Sequence, residues 1–535
     1  MNSLTQFKKI SILPFFIALM LFALAQNTQA VSPPPDGGYP GLNTAEGDFA
    51  LLSLTTGDDN TAIGFAALIE NTTGSDNTAI GVVALDRLTT GYYNTATGSA
   101  ALYNNTTGFS NTATGFRALF SNNANSNTAN GYEALYRNTT GPSNTAIGYQ
   151  ALFENTTGSE NTANGYQALF SNSIGDDNTA TGFEALISNG ASNNTADGSQ
   201  ALLVNTSGAQ NTATGYAALN SNTTGNFNTA NGSLALVSNT VGTFNSAFGQ
   251  GALDSNTIGV DNTASGAGAL FSNTTGYGNA ASGFQALNDN TSGNSNTANG
   301  SGALFSNTTG IQNTANGTSA LYHNTTGNSN IAEGASAGSH LTTGSNNIDI
   351  GANVLGVAGE ANTIRIGKSG VQTKTVVAGI HGVGVTGTAV VVGSTGQLGV
   401  APSSQRFKAE IKPMGKASEG ILALKPVTFR YKKDIDPDSL PQFGLVAEEV
   451  EKVNADLVAR DEQGKPYTVR YEAVNAMLLN EFLKEHAKVE QLKKDFESKI
   501  AQQQKQIEAL TGGLQRVSAQ VEVSKPAPRT VVSNP

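Results

Sequence analysis

The stretch Asn144-Thr145-Ala146-Ile147-Gly148-Tyr149-Gln150-Ala151-Leu152-Phe153 decides the architecture, because its pattern returns along most of the chain. Asn-Thr-Ala, or a close variant, begins at Asn60, Asn77, Asn94, Asn111, Asn127, Asn144, Asn161, Asn178, Asn194 and Asn211. It begins again at Asn228, Asn245, Asn262, Asn279, Asn296, Asn313, Asn330 and Asn347. Every step is 17 residues except Asn111 to Asn127 and Asn178 to Asn194, which are 16. The consensus is N-T-A-x-G-x-x-A-L-x-x-N-T-T-G-x-x. Such a unit is too short for two packed helices and predicts two brief strands and two turns. Asn-Thr-Ala-x-Gly reads as a strand with Ala and Gly inward, and Ala-Leu as the start of a second inner stretch. Asn-Thr-Thr-Gly reads as a turn, since Asn and Gly tolerate positive φ.

Inward positions filled by Ala, Gly and Leu require a narrow interior, a coil whose two layers nearly touch. Stacked coils close each strand's hydrogen bonds onto the next, giving a parallel β-roll or solenoid with Asn laddered at one corner. A disordered polar tract is the alternative, but apolar residues in fixed register oppose it. The aromatics Phe116, Tyr132, Tyr149, Tyr166 and Tyr216 have two readings, a sugar-binding stripe or packing between coils or chains, and the second is preferred. The Asn-Thr-Thr triplets match glycosylation acceptors, but they follow from the repeat itself.

The motif N-T-A-I-G at Asn60–Gly64, Asn77–Gly81 and Asn144–Gly148 resembles the S-V-A-I-G core of the head repeats of trimeric autotransporter adhesins. That resemblance implies a left-handed parallel β-roll with three chains side by side. Adhesins of that kind end in a membrane β-barrel. This sequence ends in Val523-Ser524-Lys525-Pro526-Ala527-Pro528-Arg529 and offers no alternating strands there, so it departs from them.

Composition agrees with a repeat fibre followed by a globular end. Charged residues are 13% of the 535, Gly is 61, and Cys and Trp are absent; an ordinary domain carries about 25% charged residues. Residues 401–535 hold 21 of the 29 basic and 19 of the 40 acidic residues, so the first three quarters are charge-poor and mildly acidic. That balance gives no footprint for nucleic acid. Without Cys, disulfides, thiolate metal sites and Cys nucleophiles are excluded. His323, His340 and His381 stand alone in the sequence, so no metal site is expected and no cofactor is implied. No acid pair recurs of the kind glycoside hydrolysis needs.

Lys8 and Lys9 precede an apolar run from Ile10 to Ala25, which reads as an export signal cleaved after Ala30. An uncleaved anchor is the other reading; the run is shorter than the ~20 residues of a spanning helix and Pro14 interrupts it. The expected product is secreted or on the cell surface, with no integral membrane segment after signal removal.

Past Asn347 the period fails. Ile364–Gly367, Thr375–Ile380 and Thr388–Gly393 are β-branched runs broken by Gly, expected as strands of an intertwined neck. Beyond it the pattern predicts helix over Ala417–Leu424, a strand over Val427–Tyr431 and a helix over Ala447–Val453. Leu457–Arg460 and Tyr467–Tyr471 should form a hairpin around Gln463-Gly464, and a long helix should start at Glu472. Its apolar positions Phe482, Val489, Leu492 and Phe496 keep heptad spacing. Ile500, Ile507, Leu510, Leu514, Val517 and Val521 resume it after a four-residue insertion, a stutter in an oligomeric coil.

The C-terminal part resembles the endosialidase-type intramolecular chaperone peptidases found at the ends of phage tail spikes and fibres. The residues that carry this are Ser403-Ser404-Gln405-Arg406-Phe407-Lys408, against the family's S-D-x-R-x-K, then Leu422–Val427, Phe443–Val450 and Val469-Arg470-Tyr471. The resemblance implies that the domain trimerises, guides folding of the fibre and cuts itself off between Pro402 and Ser403. It also implies that Ser403 is the nucleophile and Lys408 its partner. Two positions depart from the pattern: Ser404 replaces Asp, and Pro402 precedes the scissile bond. A Lys amine can activate a Ser hydroxyl when burial lowers its pKa. Residues five apart lie ~140° apart around a helix and on opposite faces of a strand. A turn or a neighbouring chain must therefore bring Ser403 and Lys408 together.

The expected fold class is thus mainly β: a parallel solenoid of 17-residue repeats, a β neck, and an α+β chaperone domain with a long coiled-coil helix, trimeric as a whole. The expected boundaries are 1–30 signal, 31–50 linker, 51–350 repeats, 351–402 neck, 403–482 chaperone and autopeptidase domain, 483–522 coiled coil and 523–535 disordered tail. The expected partner is two further copies of the chain, with any cell-surface or glycan ligand unidentified. Two functions stand open from sequence: a fibre with a self-cleaving assembly domain, or a fibre whose C-terminal domain trimerises it and never cuts.

Overall fold

The computed structural model describes residues 39–372, 374–378, 386–393, 396–461 and 463–524. The expected signal, His381 and residues 525–535 lie outside them. Contacts divide the chain after Ala378 into two compact units.

The first unit is a parallel β-solenoid. Its 20 strands, from Thr44–Glu46 to Ile364–Ile366, are each three residues long and pair in one sheet. The ladder therefore extends beyond 51–350 at both ends. Asn43-Thr44-Ala45-Glu46-Gly47 is an additional copy of the motif within the expected linker, and Ile364–Ile366, expected in the neck, is the last rung. Register is strict: Thr145, Ala146 and Ile147 lie beside Thr162, Ala163 and Asn164. The two 16-residue steps leave it unbroken.

The interior is as narrow as its residues require. Ala146, Ala151 and Leu152 are each fully buried, and the same trio recurs in every coil from Ala62 to Ala320 and Leu321. Burying one Leu contributes about 1.5–3 kcal/mol, so the coil's apolar gain is modest and the backbone has to be fully satisfied. The second layer differs from expectation. It is a row of tight turns, in which Gln150 and Leu152 have φ of 52° and 51°. Leu152 N–H donates to the Ala168 carbonyl of the next coil, while Gln150 N–H donates to the Tyr132 carbonyl of the preceding one. Alternating the sign of φ sends successive amides up and down the fibre, as a strand would, but in less length. Left-handed Leu costs about 1–2 kcal/mol, which the two inter-coil bonds and Leu burial offset.

The glycines also act differently from expectation. Gly158, in the Asn-Thr-Thr-Gly corner, has no positive φ; a Cβ there would sit 2.5 Å from both Asn155 Oδ1 and the Gly175 carbonyl. Gly148 has φ 129°, and its Cβ would meet the Gly165 carbonyl at 2.4 Å. Close approach between coils excludes any side chain at both places.

Two buried Asn ladders flank the core. In the first, which was expected, Asn161 N–H and Nδ2 donate to Asn144 Oδ1 at 3.0 and 3.1 Å, and Nδ2 also donates to the Gly175 carbonyl at 2.8 Å. The second runs through the Asn-Thr-Thr-Gly corner: Asn172 Nδ2 donates to Asn155 Oδ1 at 3.0 Å and to the Gly175 carbonyl at 2.9 Å. In three coils Leu stands in place of the second-ladder Asn, at Leu54, Leu88 and Leu341, and the last two are fully buried.

Near the C-terminal end of the ladder the inward Ala becomes Asp349, fully buried with neither carboxylate oxygen hydrogen-bonded. Arg365 of the next rung lies 3.5 Å away, and Glu360 holds the Arg365 fork. Burial pushes the Asp349 carboxyl above its ordinary range.

Of the expected neck strands, Val391–Val392 pairs antiparallel with Leu398–Gly399, and the described residues of 375–378 form no strand. In the second unit a 3-10 helix occupies Gly415–Ala423, and hairpins pair Val427–Phe429 with Gln442–Gly444 and Val458–Arg460 with Pro466–Val469. A short helix spans Ala447–Val453, and a helix of 53 residues runs Tyr471–Val523.

Asn161→Leu is expected to destabilise the solenoid far more than Asn172→Leu. The first strips an acceptor from the buried Asn178 backbone N–H and Nδ2, at about 1–3 kcal/mol per orphaned group. The second repeats the substitution already tolerated at Leu88. Thermal melts with equal losses would show that the ladders are equivalent. Asp349 gives an opposite, pH-dependent effect. Because its folded carboxyl is raised, its contribution to stability is largest in acid and falls as pH rises through the carboxylate range. Asp349→Ala should raise the neutral-pH melting temperature and flatten that dependence; a lowered melting temperature would make the Arg365 pair dominant instead.

Candidate active site

Ser403 and Lys408 flank a single 3-10 turn, Gln405–Phe407. The Ser404 carbonyl accepts from Phe407 N–H at 3.0 Å and the Gln405 carbonyl from Lys408 N–H at 3.1 Å. Ser404 and Lys408 are both extended, with φ of −62° and −119°. The turn lies between the two candidate residues without bringing them into hydrogen-bond contact. Both side chains are exposed, as is every residue from 401 to 417. No hydrogen bond joins Ser403 to Lys408 among the described residues. The single chain therefore presents the pair in the open. Phe407 and Ile411 beside it are about 60% exposed, and the Arg406 guanidinium lies 4.6 Å from the Phe407 ring centre.

The body of the domain is small. Val450, Leu457, Val458, Val469 and Met477 form its buried core, with Ile421, Leu424, Leu445 and Val474 packed against them. An open apolar groove of about 500 Å³ runs past Val427, Phe443, Tyr471 and Leu478. The Tyr471 hydroxyl accepts from Leu445 N–H at 3.0 Å, tying the start of the long helix to the strand that precedes the short one.

A polar cluster that the sequence did not reveal pins the 3-10 helix to the long helix. Ser418 is fully buried; its hydroxyl donates to Glu481 and accepts from Asn480 Nδ2 at 2.6 Å. Lys484 Nζ lies 3.3 Å from the same hydroxyl and 2.6 Å from Glu481 Oε1. Hydrogen bonds from Lys484 and Ser418 hold the Glu481 carboxyl below its ordinary range. Ser418 lies more than sixty positions from the other three, with no local motif to announce the contact. The only legible signal was Asn480, Glu481 and Lys484 on one face of the helix at three- and four-residue spacing.

The segment from the exposed Ser403 through the first hairpin and short helix is the part with a recognisable relative. Residues 403–459 match the family described as the chaperone of endosialidase. The match begins at Ser403, the residue at which the motif placed the cut. It covers the 3-10 helix, the first hairpin and the short helix, and stops within the strand that opens the second hairpin. This family points to autoproteolytic chemistry and, with the β-solenoid ahead of it, fits a fibre-like protein. Neither the curated proteins nor the solved structures gave a match to the chain.

Two files of solenoid aromatics form stacks, while Tyr216 belongs to neither and is more than half exposed. Phe116, Tyr132, Tyr149, Tyr166 and Phe183 lie 5.1–5.4 Å apart between ring centres. Tyr103, Phe120, Tyr136, Phe153 and Phe170 lie 5.1 Å apart in a second file. Each ring face is covered by the next ring, so the files pack between coils and present edges to solvent. Stacking of a sugar needs a free face, which these files offer only at their ends. Among the described residues no group of three or more His, Asp or Glu could hold a metal, and no helix is long and apolar enough to cross a membrane.

Ser418→Ala should leave Asn480 and Glu481 without their buried partner and cost about 1–3 kcal/mol of docking between the two helices. Because the folded Glu481 carboxyl is depressed, its contribution is present above the ordinary carboxylate pKa and is lost as pH falls through the folded value. Acid should thus loosen this domain while favouring the Asp349 end of the solenoid. Helical circular dichroism melts of wild type and variant across the carboxylate range check both; an unchanged helix transition in Ser418→Ala would make the cluster incidental.

Proposed function

We propose that the chain is an exported fibre or adhesin-like surface protein that assembles as a homotrimer, and that its C-terminal domain directs assembly and then detaches by self-cleavage between Pro402 and Ser403. The observation that carries this reading is the family match starting at Ser403 on a domain whose apolar surfaces are uncovered in one copy. On the long helix Phe482, Val489, Leu492, Phe496, Ile500, Ile507, Leu510, Leu514, Val517 and Val521 are all more than half exposed. That heptad seam is supported as the contact between copies, with the stutter between Phe496 and Ile500.

In the proposed step Lys408, left as the neutral amine once a neighbouring copy buries it, removes the Ser403 hydroxyl proton. The oxygen attacks the Pro402 carbonyl carbon, the Pro402–Ser403 C–N bond breaks, and the proton passes to the departing Ser403 amine. Water then hydrolyses the resulting ester, leaving a Pro402 carboxylate and restoring the Ser403 hydroxyl. Pro402 supplies only the carbonyl of this bond, so its ring leaves the leaving amine unaltered. Because one chain leaves both groups in solvent, assembly of the site would require the trimer, and cleavage would follow folding. Losing the helper afterwards would trap the fibre kinetically. A second reading, a C-terminal domain that trimerises the fibre without cutting it, is favoured by Ser404 in place of the family's Asp.

Denaturing electrophoresis of the purified protein should show a fragment of about a quarter of the chain whose N-terminal sequence begins Ser403-Ser404-Gln405. Ser403→Ala and Lys408→Ala should abolish release while leaving the trimer. Lys408→Arg should abolish it too, since guanidinium cannot serve as the base. A wild-type trimer of full-length chains would favour the second reading. Deleting residues 472–535 should give aggregated or misregistered repeats, and soluble trimer from that truncation would remove the assembly role.

A further inference from the structure

The outward face of the strand ladder carries two columns of side chains, one on each side of the buried Ala. The first column is Thr in every strand from Thr44 to Thr229 and again at Thr263, Thr297 and Thr314. The second is often Thr or Asn, giving pairs such as Thr112 with Thr114, Thr162 with Asn164, Thr179 with Thr181 and Thr212 with Thr214. From Thr61 to Asn316 the columns contain a single charged side chain, Asp197.

Strand propensity alone would be met by Val or Ile, so the hydroxyl needs its own reason. The Thr residues of the Asn-Thr-Thr corner show what a structural hydroxyl does here. Thr139, Thr156 and Thr206 donate to carbonyls of the next coil at 2.8–2.9 Å. On the strand face, by contrast, no hydroxyl of the first column has a hydrogen-bond partner among the described residues. That column is in strict register, with Thr145 beside Thr162 and Thr162 beside Thr179. Adjacent strands lie about 4.8 Å apart and alternate residues about 6.6 Å apart along a strand. Thr is stiff at χ1, and the backbone beneath is fixed by Ala and by the Asn ladders. The result is a rigid, nearly uncharged face: one column of Thr methyl and hydroxyl groups beside a second of mainly Thr, Asn, Ser and Ile, with spacings close to those of water oxygens on the prism faces of ice.

We propose that this threonine face binds ice: the hydroxyls hold water in the troughs between columns, the methyls flank it, and the ordered layer merges with the crystal. The proposal is independent of self-cleavage. A crystalline polysaccharide is less suited, because Phe248 is the one aromatic on the face among the described strands and the ring files elsewhere are stacked shut.

The test uses the full chain, fluorescently labelled and partitioned into slowly grown polycrystalline ice, with recrystallisation inhibition as a second readout. Thr145→Lys, Thr162→Lys and Thr179→Lys combined are compared with Ser171→Lys and Ser188→Lys, which alter the coil place occupied elsewhere by Arg137 and Glu154. Circular dichroism confirms the coil in each, and Thr162→Tyr alone replaces the triple variant where that one fails to fold. Wild type and the serine variants should concentrate in the ice and the face variants should remain in the melt. Exclusion of folded wild type from ice, or equal uptake of the folded face variants, would overturn the proposal. So would a wild type that ignores ice but binds crystalline cellulose or chitin through the same Thr residues.

Discussion

A coil of 17 residues encloses too little apolar volume to hold itself together, and the rest of the solenoid follows from that shortage. Three small or medium side chains per coil supply the core. The remaining cohesion comes from hydrogen bonds that run along the fibre, and the Asn ladders are the part that cannot be relaxed. Along most of the first ladder each Asn accepts a backbone N–H and a side-chain amide from the next coil's Asn and donates to a carbonyl there. At Asn127, Asn144, Asn194 and Asn330 only the backbone N–H reaches the preceding Asn. Buried polar groups are costly when orphaned and specific when satisfied, so the ladder fixes both the stacking distance and the register of every strand. Glycine at the close approaches and left-handed Leu on the second layer are then consequences of coils held this tightly.

The same regularity creates the problem that the C-terminal domain is suited to solve. Coils of nearly identical sequence can pair with the wrong neighbour, within a chain or between chains, at little energetic penalty. A separate domain with distinctive sequence and an apolar helical seam is suited to align copies before the repeats do, and the lock at Ser418 fixes its own 3-10 helix on the long helix. Its own core is five residues deep. A domain with so little interior and so much open apolar surface is matched to folding in company.

The β-solenoid was legible from Asn-Thr-Ala at a fixed period, because burying Ala in every coil leaves one solution for the strand. The second layer was read less well: Ala-Leu looks like the start of a strand, and nothing local announces the φ of 51° at Leu152. Gly251, Gly268 and Gly302, which occupy the neighbouring left-handed place in three coils, were the available hint. The second Asn ladder was visible as a repeated Asn but was read as a turn residue, since turn chemistry and burial give the same letter. In the C-terminal domain the helix Ala447–Val453 and the hairpin order were legible from periodicity and Gly placement. Ser403 and Lys408 were proposed only through family resemblance, and a single chain leaves both exposed and unpaired with each other. The Ser418 cluster was hidden because its members meet only after the long helix packs.

The account rests on an order of events, in which copies associate before the chain is cut. Native mass spectrometry over time, after dilution of the denatured full-length chain into folding buffer, tests that order most directly. The account predicts an intact full-length trimer first, followed by release of a fragment beginning at Ser403, with a rate that no longer depends on protein concentration once trimer has formed. Fragment appearing from monomer, before any trimer is present, would contradict it.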